Sequence, residues 1–518
     1  MRVLLVNPPP HQRVDRYDTP DFTRLGLACL AARLRADGAA DVAIVDAKFE
    51  RLSYADVLRR VRDLRPDVVG LTAFTNEIKP AARVARMVKA EAPGVHTVIG
   101  GVHVSALPWE TMVEFPEFDL GVLKEGEDTF SELVATLGAG GDPGRVANVV
   151  QRVGDDVNVA PERTAPVDVA GLPAPAWDLV PPSRRYLFMT QRGCPYRCNF
   201  CANPNGRTVR MRPIDGLIEE LRYIAAVGGE ELYVCDEIFT VDKERTHRLL
   251  DAMIAAGIQR KIRWSAQVHV NTVDEDLFRK MKAAGCFICG FGIETGDADI
   301  LKRMGKGTSQ ARIKSVREMA RRAGLPIEGL FILGHPNETW ASAMRTIDFM
   351  AELGPERPIL GVMVPFPGTE VARMARNGEG GYRLISSDWN DYGKQIGHAL
   401  EFENLSRAQM ELLQLIGYAK TFLANRRFRE FARFAWDYRK EGLAVLNKLV
   451  LGRKPVPVEA EPEPARWSPY FDGAPVHANG VAPQFRSAAK ERHAPERLSG
   501  LALSREPIVR RAEPSARS

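Results

Sequence analysis

The chain has 518 residues, of which 45% are hydrophobic and 26% are charged, and its formal net charge is +5. This length predicts two or three domains, and the composition is typical of globular proteins rather than of disordered or fibrous ones. The net charge is small for a chain of this length, so it gives no support to a nucleic-acid partner.

The N-terminal apolar run, Val3 to Val6, is too short for a signal peptide and has no small-residue cleavage site after it. Elsewhere no segment approaches the roughly 20 apolar residues that a membrane span needs. We therefore expect a cytoplasmic protein. The seven cysteines are an odd number, and without an export signal they argue against a disulfide framework.

Residues 1–140 alternate between apolar strand patterns and amphipathic helix patterns, which predicts a doubly wound parallel sheet. The predicted strands lie near 3–6, 42–45, 67–72 and 97–99. Ligands of such sheets bind beyond the carboxyl ends of the strands. This rule predicts one site that includes Asn7, Thr72, Gly100 and Gly101.

The segment 141–182 is rich in proline and is interpreted as a linker. Residues 183–400 again alternate strands and helices, and six βα units predict a partial (β/α)6 barrel with its chemistry at the strand C-termini. The predicted barrel strands are 187–190, 231–234, 263–267, 287–293, 326–333 and 359–364.

The C-terminal region 401–453 has a helical pattern, and 426–440 mixes arginine with aromatic residues. We expect this helix to pack against the barrel with its arginine face in water. Docking on an anionic membrane surface is the alternative, which the sequence does not favour. Residues 454–518 are rich in Pro, Ala, Arg and Glu with little periodicity, so we expect a disordered tail.

Three cysteines, Cys194, Cys198 and Cys201, have the spacing C-x3-C-x2-C on a loop that follows the first barrel strand. Three thiolates on a short loop can each bind one iron of a 4Fe-4S cluster, which leaves the fourth iron without a protein ligand. That open iron suits a chelating cofactor such as S-adenosylmethionine, which can offer its amino and carboxyl groups.

A structural zinc site is the alternative, but zinc usually takes four protein ligands in two pairs, and no fourth ligand lies nearby in sequence. Cys286 and Cys289 form a second pair, although they fall on a predicted apolar strand and are interpreted as core residues. Cys29 and Cys235 are likewise interpreted as core residues.

With its aromatic residue before the last cysteine, this motif resembles the radical S-adenosylmethionine (radical SAM) signature. The resemblance continues through 234–237, 290–295, 329–334, 336–339 and 365–370. It implies that Phe200 lies near the adenine, that Glu294 lies near the ribose or methionine part, and that Asp236 or Glu237 approaches the amino group. Glu294 could instead cap a helix, and the other two carboxylates could form a solvated strand end.

The first domain resembles the cobalamin-binding domain that is fused to many radical SAM enzymes. The similarity lies in 7–9, 69–73, 99–103 and 125–128. It implies cobalamin contacts from Asn7, Thr72, Gly100 and Gly101. His103 could also approach the cofactor, or it could be a partly exposed turn residue.

One feature departs from the cobalamin-binding pattern. The first loop has His11 but not the D-x-H-x-x-G motif that supplies a lower axial histidine. The alternative to cobalamin is a Rossmann-like sheet that binds a nucleotide or nothing. No G-x-G-x-x-G follows the first strand, which disfavours a dinucleotide.

Taken together, these resemblances imply a methyltransferase that acts on an unactivated carbon or phosphorus centre of a lipid or secondary metabolite. Its cofactors would be a 4Fe-4S cluster, S-adenosylmethionine and cobalamin, and a flavodoxin or ferredoxin would supply electrons. Two alternatives stay open, namely a cyclase or rearrangement enzyme with the same cofactors, and a non-catalytic cobalamin or iron-sulfur sensor.

Overall fold

The fold is taken from a computed structural model, which describes residues 1–10, 22–38, 41–393, 398–440 and 443. The loop that carries His11 and the predicted tail, 454–518, lie outside these described residues.

The N-terminal region forms a seven-stranded sheet with the order β2-β1-β3-β4-β5-β6-β7. Its first five strands are parallel, and the last two pair in antiparallel fashion. The strands are β1 (Arg2–Asn7), β2 (Asp41–Asp46), β3 (Val68–Thr72), β4 (His96–Gly100), β5 (Leu120–Val122), β6 (Val149–Val153) and β7 (Asp156–Val159). The helices are α1 (Leu25–Ala36), α2 (Tyr54–Leu64), α3 (Ile78–Glu91), α4 (Val102–Ala106), α5 (Pro108–Glu114) and α6 (Glu127–Gly138).

The two faces of this sheet are both buried, as the continuous apolar strands predict. On β1, Leu4 and Val6 join one hydrophobic cluster, whereas Val3 and Leu5 join another on the opposite face. From β1, the chain adds β2 on one side of the sheet and then β3, β4 and β5 on the other side. Doubly wound sheets bind ligands between β1 and β3, where this order of addition changes direction. The prediction of a doubly wound α/β domain is therefore confirmed.

The sheet continues past residue 140, into the segment that the sequence analysis interprets as a linker. Strands β6 and β7 form a hairpin around Gly154 that extends the sheet at its β5 edge. Val149 and Val150 are fully buried there. The interpretation of 141–182 as a linker is therefore corrected for 149–159, because these two strands are paired into the first domain.

The second sheet has six parallel strands in the order β15-β14-β13-β12-β11-β8, which is the predicted partial barrel. Its strands are β8 (Arg185–Phe188), β11 (Glu231–Val234), β12 (Arg263–Val268), β13 (Cys286–Glu294), β14 (Ile327–Leu333) and β15 (Arg357–Val362), and a short antiparallel pair is formed by β9 (Gln191–Arg192) and β10 (Arg210–Met211). The helices are α7 (Ile214–Ala226), α8 (Lys243–Ala255), α9 (Glu275–Ala283), α10 (Ala298–Arg303), α11 (Gln310–Ala323), α12 (Trp340–Leu353) and α13 (Glu370–Asn377).

Six of these helices begin at a side chain that accepts a hydrogen bond from a backbone N–H of the first turn. The capping residues are Asp242, Asp274, Asp297, Ser309, Thr339 and Thr369. Such caps replace the intrahelical partners that the first turn of a helix lacks. They fix where each helix begins after its strand and loop.

The described part of the C-terminal region contributes a strand pair and two helices. The strands are β16 (Tyr382–Leu384) and β17 (Leu400–Phe402), and the helices are α14 (Arg407–Ala424) and α15 (Phe428–Asp437). Helix α14 packs against α12 and β15. None of the described helices combines the length and apolar character that a membrane span requires.

Candidate active site at the barrel mouth and the domain boundary

The cysteine loop leaves the barrel between β9 and β10 and carries Cys194, Cys198 and Cys201 as free thiols. Gly193 opens the loop with φ +101°, and a Cβ at this position would collide with the carbonyl oxygen of Thr208. The backbone N–H of Cys194 donates to the carbonyl of Gly206 at 3.0 Å, which closes the loop on itself.

These three cysteines fit the expected cluster in their donor chemistry. Within the described residues, no group of three or more His, Cys, Asp or Glu side chains is arranged to hold one metal ion. A cubane cluster makes a different demand, because each thiolate binds a different iron. Burial raises the pKa of the Cys198 thiol to about 11, so deprotonation there needs a compensating cation.

Glu237, which follows β11, anchors the cysteine loop. Its carboxylate accepts a hydrogen bond from the backbone N–H of Gly193 at 3.1 Å and another from the Asn205 amide at 2.5 Å. Neighbouring Asp236 is buried, and its carboxylate accepts from the backbone N–H and the hydroxyl of Thr190 at 2.7 and 2.5 Å. Burial raises the pKa of Asp236 to about 7, against the lowering effect of these hydrogen bonds. Both carboxylates therefore support the loop and the strand that precedes it.

Glu294, at the end of β13, forms a buried ion pair with Lys306. The Lys306 ammonium lies 2.5 Å from the Glu294 carboxylate, and both side chains are 8% exposed. Glu294 also has φ +69°, which is unusual for a residue with a Cβ. The pair acts electrostatically on the thiol of Cys198 and so lies beside the cysteine loop. Lys306 was not predicted from the sequence, because no motif indicates it.

Two buried histidines lie at the same end of the barrel. His335 contacts Phe200 edge-on at 6.4 Å between ring centroids, and His269 stacks on Tyr196 at 3.9 Å. Burial lowers the pKa of each histidine to about 4. Both rings are therefore neutral at physiological pH, and each keeps one nitrogen that can accept a hydrogen bond. Phe200, a predicted adenine contact, is thus half-buried beside a neutral imidazole.

A cavity of about 390 Å³ lies between the first sheet and the barrel. The predicted residues Thr72, Gly100 and Gly101 line it from the ends of β3 and β4. A Cβ built on Gly100 would have no neighbour closer than 3.8 Å, so the missing side chain leaves space for a ligand. On Gly101 a Cβ would lie 2.5 Å from the carbonyl oxygen of Ala73, so this glycine is required by the fold itself.

The barrel supplies the opposite wall of this cavity, including Met189, Arg192 and Asn205. Asn205 belongs to the cysteine loop, so the loop and the first sheet open onto one shared space. Cys29 belongs to the hydrophobic core as predicted and Cys235 packs against it, and both also line the cavity. The cavity lining is mostly apolar with a few polar groups, which is typical of cofactor sites.

Two predicted cobalamin contacts do not line the cavity. Asn7 is buried, donating to Asp46 at 2.6 Å and accepting from Arg24 at 3.1 Å. His103 is 1% exposed on α4 and packs edge-on against Trp389 at 4.8 Å. The alternative interpretation of His103 as a partly exposed turn residue is therefore wrong, because the α4 turn is covered by the segment that follows β16.

Arg192 joins the cysteine loop to the first domain. Its guanidinium donates to Glu125 at 2.8 Å and to Glu127 at 3.2 Å, and its side chain is 7% exposed. Arg210 donates to the second oxygen of Glu125 at 2.7 Å. Residues 125–128 carry part of the cobalamin-domain resemblance, but neither arginine was predicted as a partner of these carboxylates.

Comparison with known proteins gives matches to two families. Residues 18–134 match the B12 binding domain, and residues 188–350 match the radical SAM superfamily. The chain is 32% identical over 434 residues to the uncharacterized methyltransferase PH0819 of Pyrococcus horikoshii, covering 82% of this chain and 93% of that protein.

Two further comparisons are informative. The chain is 25% identical over 387 residues to the anaerobic magnesium-protoporphyrin IX monomethyl ester cyclase of Rubrivivax gelatinosus, covering 72% of this chain and 69% of that one. In fold it is similar to the radical S-adenosylmethionine methyltransferase TsrM of Kitasatospora setae, with a TM-score of 0.66 and 18% identity, covering 82% of this chain and 89% of that one.

Proposed function

This chain belongs to the radical SAM enzymes that carry an N-terminal cobalamin-binding domain, and on that premise we propose that it methylates an unactivated carbon or phosphorus centre of a lipid or secondary metabolite. One observation carries the proposal. The cysteine loop and the carboxyl ends of the first sheet line a single cavity, through Asn205 on one side and Thr72 and Gly100 on the other. A reaction that uses both cofactors on one substrate needs such a shared space.

The residues that would hold the cofactors follow from these contacts. Cys194, Cys198 and Cys201 would ligate a 4Fe-4S cluster. Thr72, Gly100 and Gly101 would contact cobalamin. When bound, the cluster and S-adenosylmethionine would supply radical chemistry, and cobalamin would supply the methyl group.

The protein's own side chains would hold this arrangement rigid. Glu237 keeps the loop closed by accepting from Gly193 and Asn205. Lys306 would offer a positive charge to the carboxylate of S-adenosylmethionine, and Glu294 would face its ribose or methionine part. Phe200 would pack against the adenine. Asp236 stays a candidate for the amino group, although its carboxylate already accepts from Thr190.

The test is transfer of a labelled methyl group. The enzyme would be reconstituted anaerobically with iron, sulfide and cobalamin, given methyl-labelled S-adenosylmethionine, and incubated with lipid and polar fractions of its host's extract. Label in a new product supports the proposal. The absence of label from every product, although deoxyadenosine is formed, would contradict methyl transfer.

A cyclase or rearrangement enzyme is the second candidate, because the relative from Rubrivivax gelatinosus is named a cyclase. The two outcomes differ in stoichiometry. A methyltransferase consumes S-adenosylmethionine both as methyl donor and as radical source. A cyclase uses it only as radical source, and no methyl group passes from S-adenosylmethionine to the product. Counting S-adenosylmethionine consumed and deoxyadenosine formed per product separates them. A non-catalytic sensor would form no deoxyadenosine under dithionite.

A further inference from the structure

Helix α15 leaves two large aromatic side chains in water. Trp436 is 67% exposed and Phe428 is 59% exposed, and none of the described side chains of this helix is buried. The opposite side of the helix does pack, because the Phe434 ring lies 5.1 Å from Tyr418 and 5.9 Å from Phe422 on α14. The helix is therefore held in place by one side while its other side stays uncovered within the described residues.

The uncovered side of α15 is basic as well as aromatic. At about 100° per residue, Phe428 and Trp436 lie about 80° apart on the helix, with Ala432 between them. Arg429 and Arg433 lie next to Trp436, about 20° and 60° further round the helix. We call these five residues the aromatic-basic face.

Other charges near this face are mostly positive. The guanidinium of Arg439 lies 4.3 Å from the centroid of the Trp436 ring, and exposed Lys440 follows it. The nearest carboxylate is that of Asp437, which lies 3.7 Å from Arg433. Glu430 is on another side of the helix and accepts from Arg427 at 2.7 Å. The face therefore carries a net positive charge around two apolar rings.

We propose that the aromatic-basic face docks on the surface of an anionic lipid bilayer. Single exposed apolar side chains need no explanation in a soluble protein, but two aromatic rings on one helical face, flanked by arginines, are typical of interfacial helices. Tryptophan favours the headgroup region, because its ring is apolar and its N–H is polar. Anionic headgroups complement the four basic side chains.

The start of α15 contacts the end of the barrel opposite to the cysteine loop. Arg427, just before α15, donates to the carbonyl oxygens of Pro355 and Glu356 at 2.8 and 2.7 Å, and these residues precede β15. The contact therefore lies at the N-terminal ends of the barrel strands, whereas the cysteines lie at the C-terminal ends. Docking here would therefore use a part of the molecule other than the cysteine loop. The inference is thus independent of the proposed reaction.

Sedimentation of the full-length protein with lipid vesicles tests this inference. Vesicles of phosphatidylglycerol and phosphatidylcholine are compared with vesicles of phosphatidylcholine alone, at low and high salt. We expect binding to the anionic vesicles that weakens as salt is added. The double variant R429Q/R433Q should bind roughly 25-fold more weakly, at about fivefold for each basic residue removed. The variant F428A/W436A should bind at least about tenfold more weakly.

A matched control removes the same chemistry from another helix. Arg222 and Tyr223 are exposed neighbours on α7, so R222Q/Y223A should bind vesicles as the unchanged protein does. Far-ultraviolet circular dichroism confirms that each variant is folded, and R429Q/R433Q changes only exposed side chains. Equal binding to both vesicle types, or no loss in either face variant, overturns the inference. The inference is also overturned if the unchanged protein binds no vesicles and the face variants differ from it in oligomeric state. That result would make this face an interface between copies of the chain.

Discussion

Arg192 and Glu127 form a buried ion pair that joins the cysteine loop to helix α6 of the first domain. Arg192 lies two residues before Cys194, and Glu127 begins helix α6 of the first domain. The two side chains are 7% and 6% exposed. Because the pair is shielded from water, its charges attract each other strongly. Together with packing, this attraction holds the cysteine loop at a fixed distance from the proposed cobalamin site.

Removing the Arg192 charge should destabilise this junction. Arg192→Met leaves the carboxylates of Glu127 and Glu125 without one of their partners in a buried place, and the loss of one partner of a buried pair costs about 3–5 kcal/mol. Urea unfolding should therefore show an earlier transition. The double variant R192M/E127L should recover most of the loss. Equal stability of R192M and the unchanged protein would contradict the role given to the pair.

Glu237 should control how firmly the loop holds iron. Glu237→Ala removes the acceptor for Gly193 and Asn205, and we expect iron to be lost to a chelator about tenfold faster after reconstitution. Glu237→Gln keeps one oxygen for the Gly193 N–H and should retain iron better. Glu230→Ala, at the other end of β11, is the control. Indistinguishable iron loss in all three variants would exclude a positioning role for Glu237.

Glu77 should make the first domain acid-sensitive. Burial alone would raise its pKa, but the charges of Arg24 and Lys48 hold the pKa at about 2. Because the folded pKa lies below the usual value, the stabilisation is present above about pH 4.5 and is lost as pH falls towards 2. Glu77→Gln should cost about 3 kcal/mol at pH 7 and flatten the dependence between pH 5 and 2. Urea midpoints measured across that range check both effects, and parallel curves would refute them.

The two cavity glycines should respond differently to a methyl group. Gly101→Ala places a Cβ against Ala73 at φ +109° and should lower stability by about 2 kcal/mol or more. Gly100→Ala meets only ordinary contacts and should leave the thermal midpoint unchanged while weakening cobalamin binding, because its Cβ would enter the cavity. Spectroscopic titration with cobalamin measures the binding. Unchanged affinity in Gly100→Ala would place cobalamin elsewhere.

Most of the fold could be predicted from local pattern. The barrel strand predicted at 263–267 is observed at Arg263–Val268, and the first barrel strand, predicted at 187–190, is observed at Arg185–Phe188. Apolar runs determine that a strand exists, whereas its ends depend on which neighbouring strand it pairs with. The first barrel strand begins at Arg185 because Arg185 pairs with Glu231 at the start of β11. The hairpin at 149–159 was missed because its strands are short, although Gly154 and Asp155 between two valine-rich runs are a hairpin signal.

The site was predictable only where its chemistry is local in sequence. The spacing of the three cysteines predicts the loop, and the strand ends predict that Thr72, Gly100 and Gly101 meet. Lys306 and Arg192 could not be found in this way, since the partner of Arg192 lies 65 residues away. Asn7 was misplaced because the strand-end rule predicts position but not hydrogen bonding, and its amide is already engaged by Asp46.

The central claim is that the three cysteines leave one iron of a cubane cluster open to S-adenosylmethionine. Electron paramagnetic resonance of the anaerobically reconstituted, dithionite-reduced protein, recorded before and after this cofactor is added, tests the claim most directly. We predict the signal of a reduced 4Fe-4S cluster, with g-values that shift when S-adenosylmethionine binds. A spectrum that stays the same on addition, or a protein that holds zinc in place of iron, would contradict it.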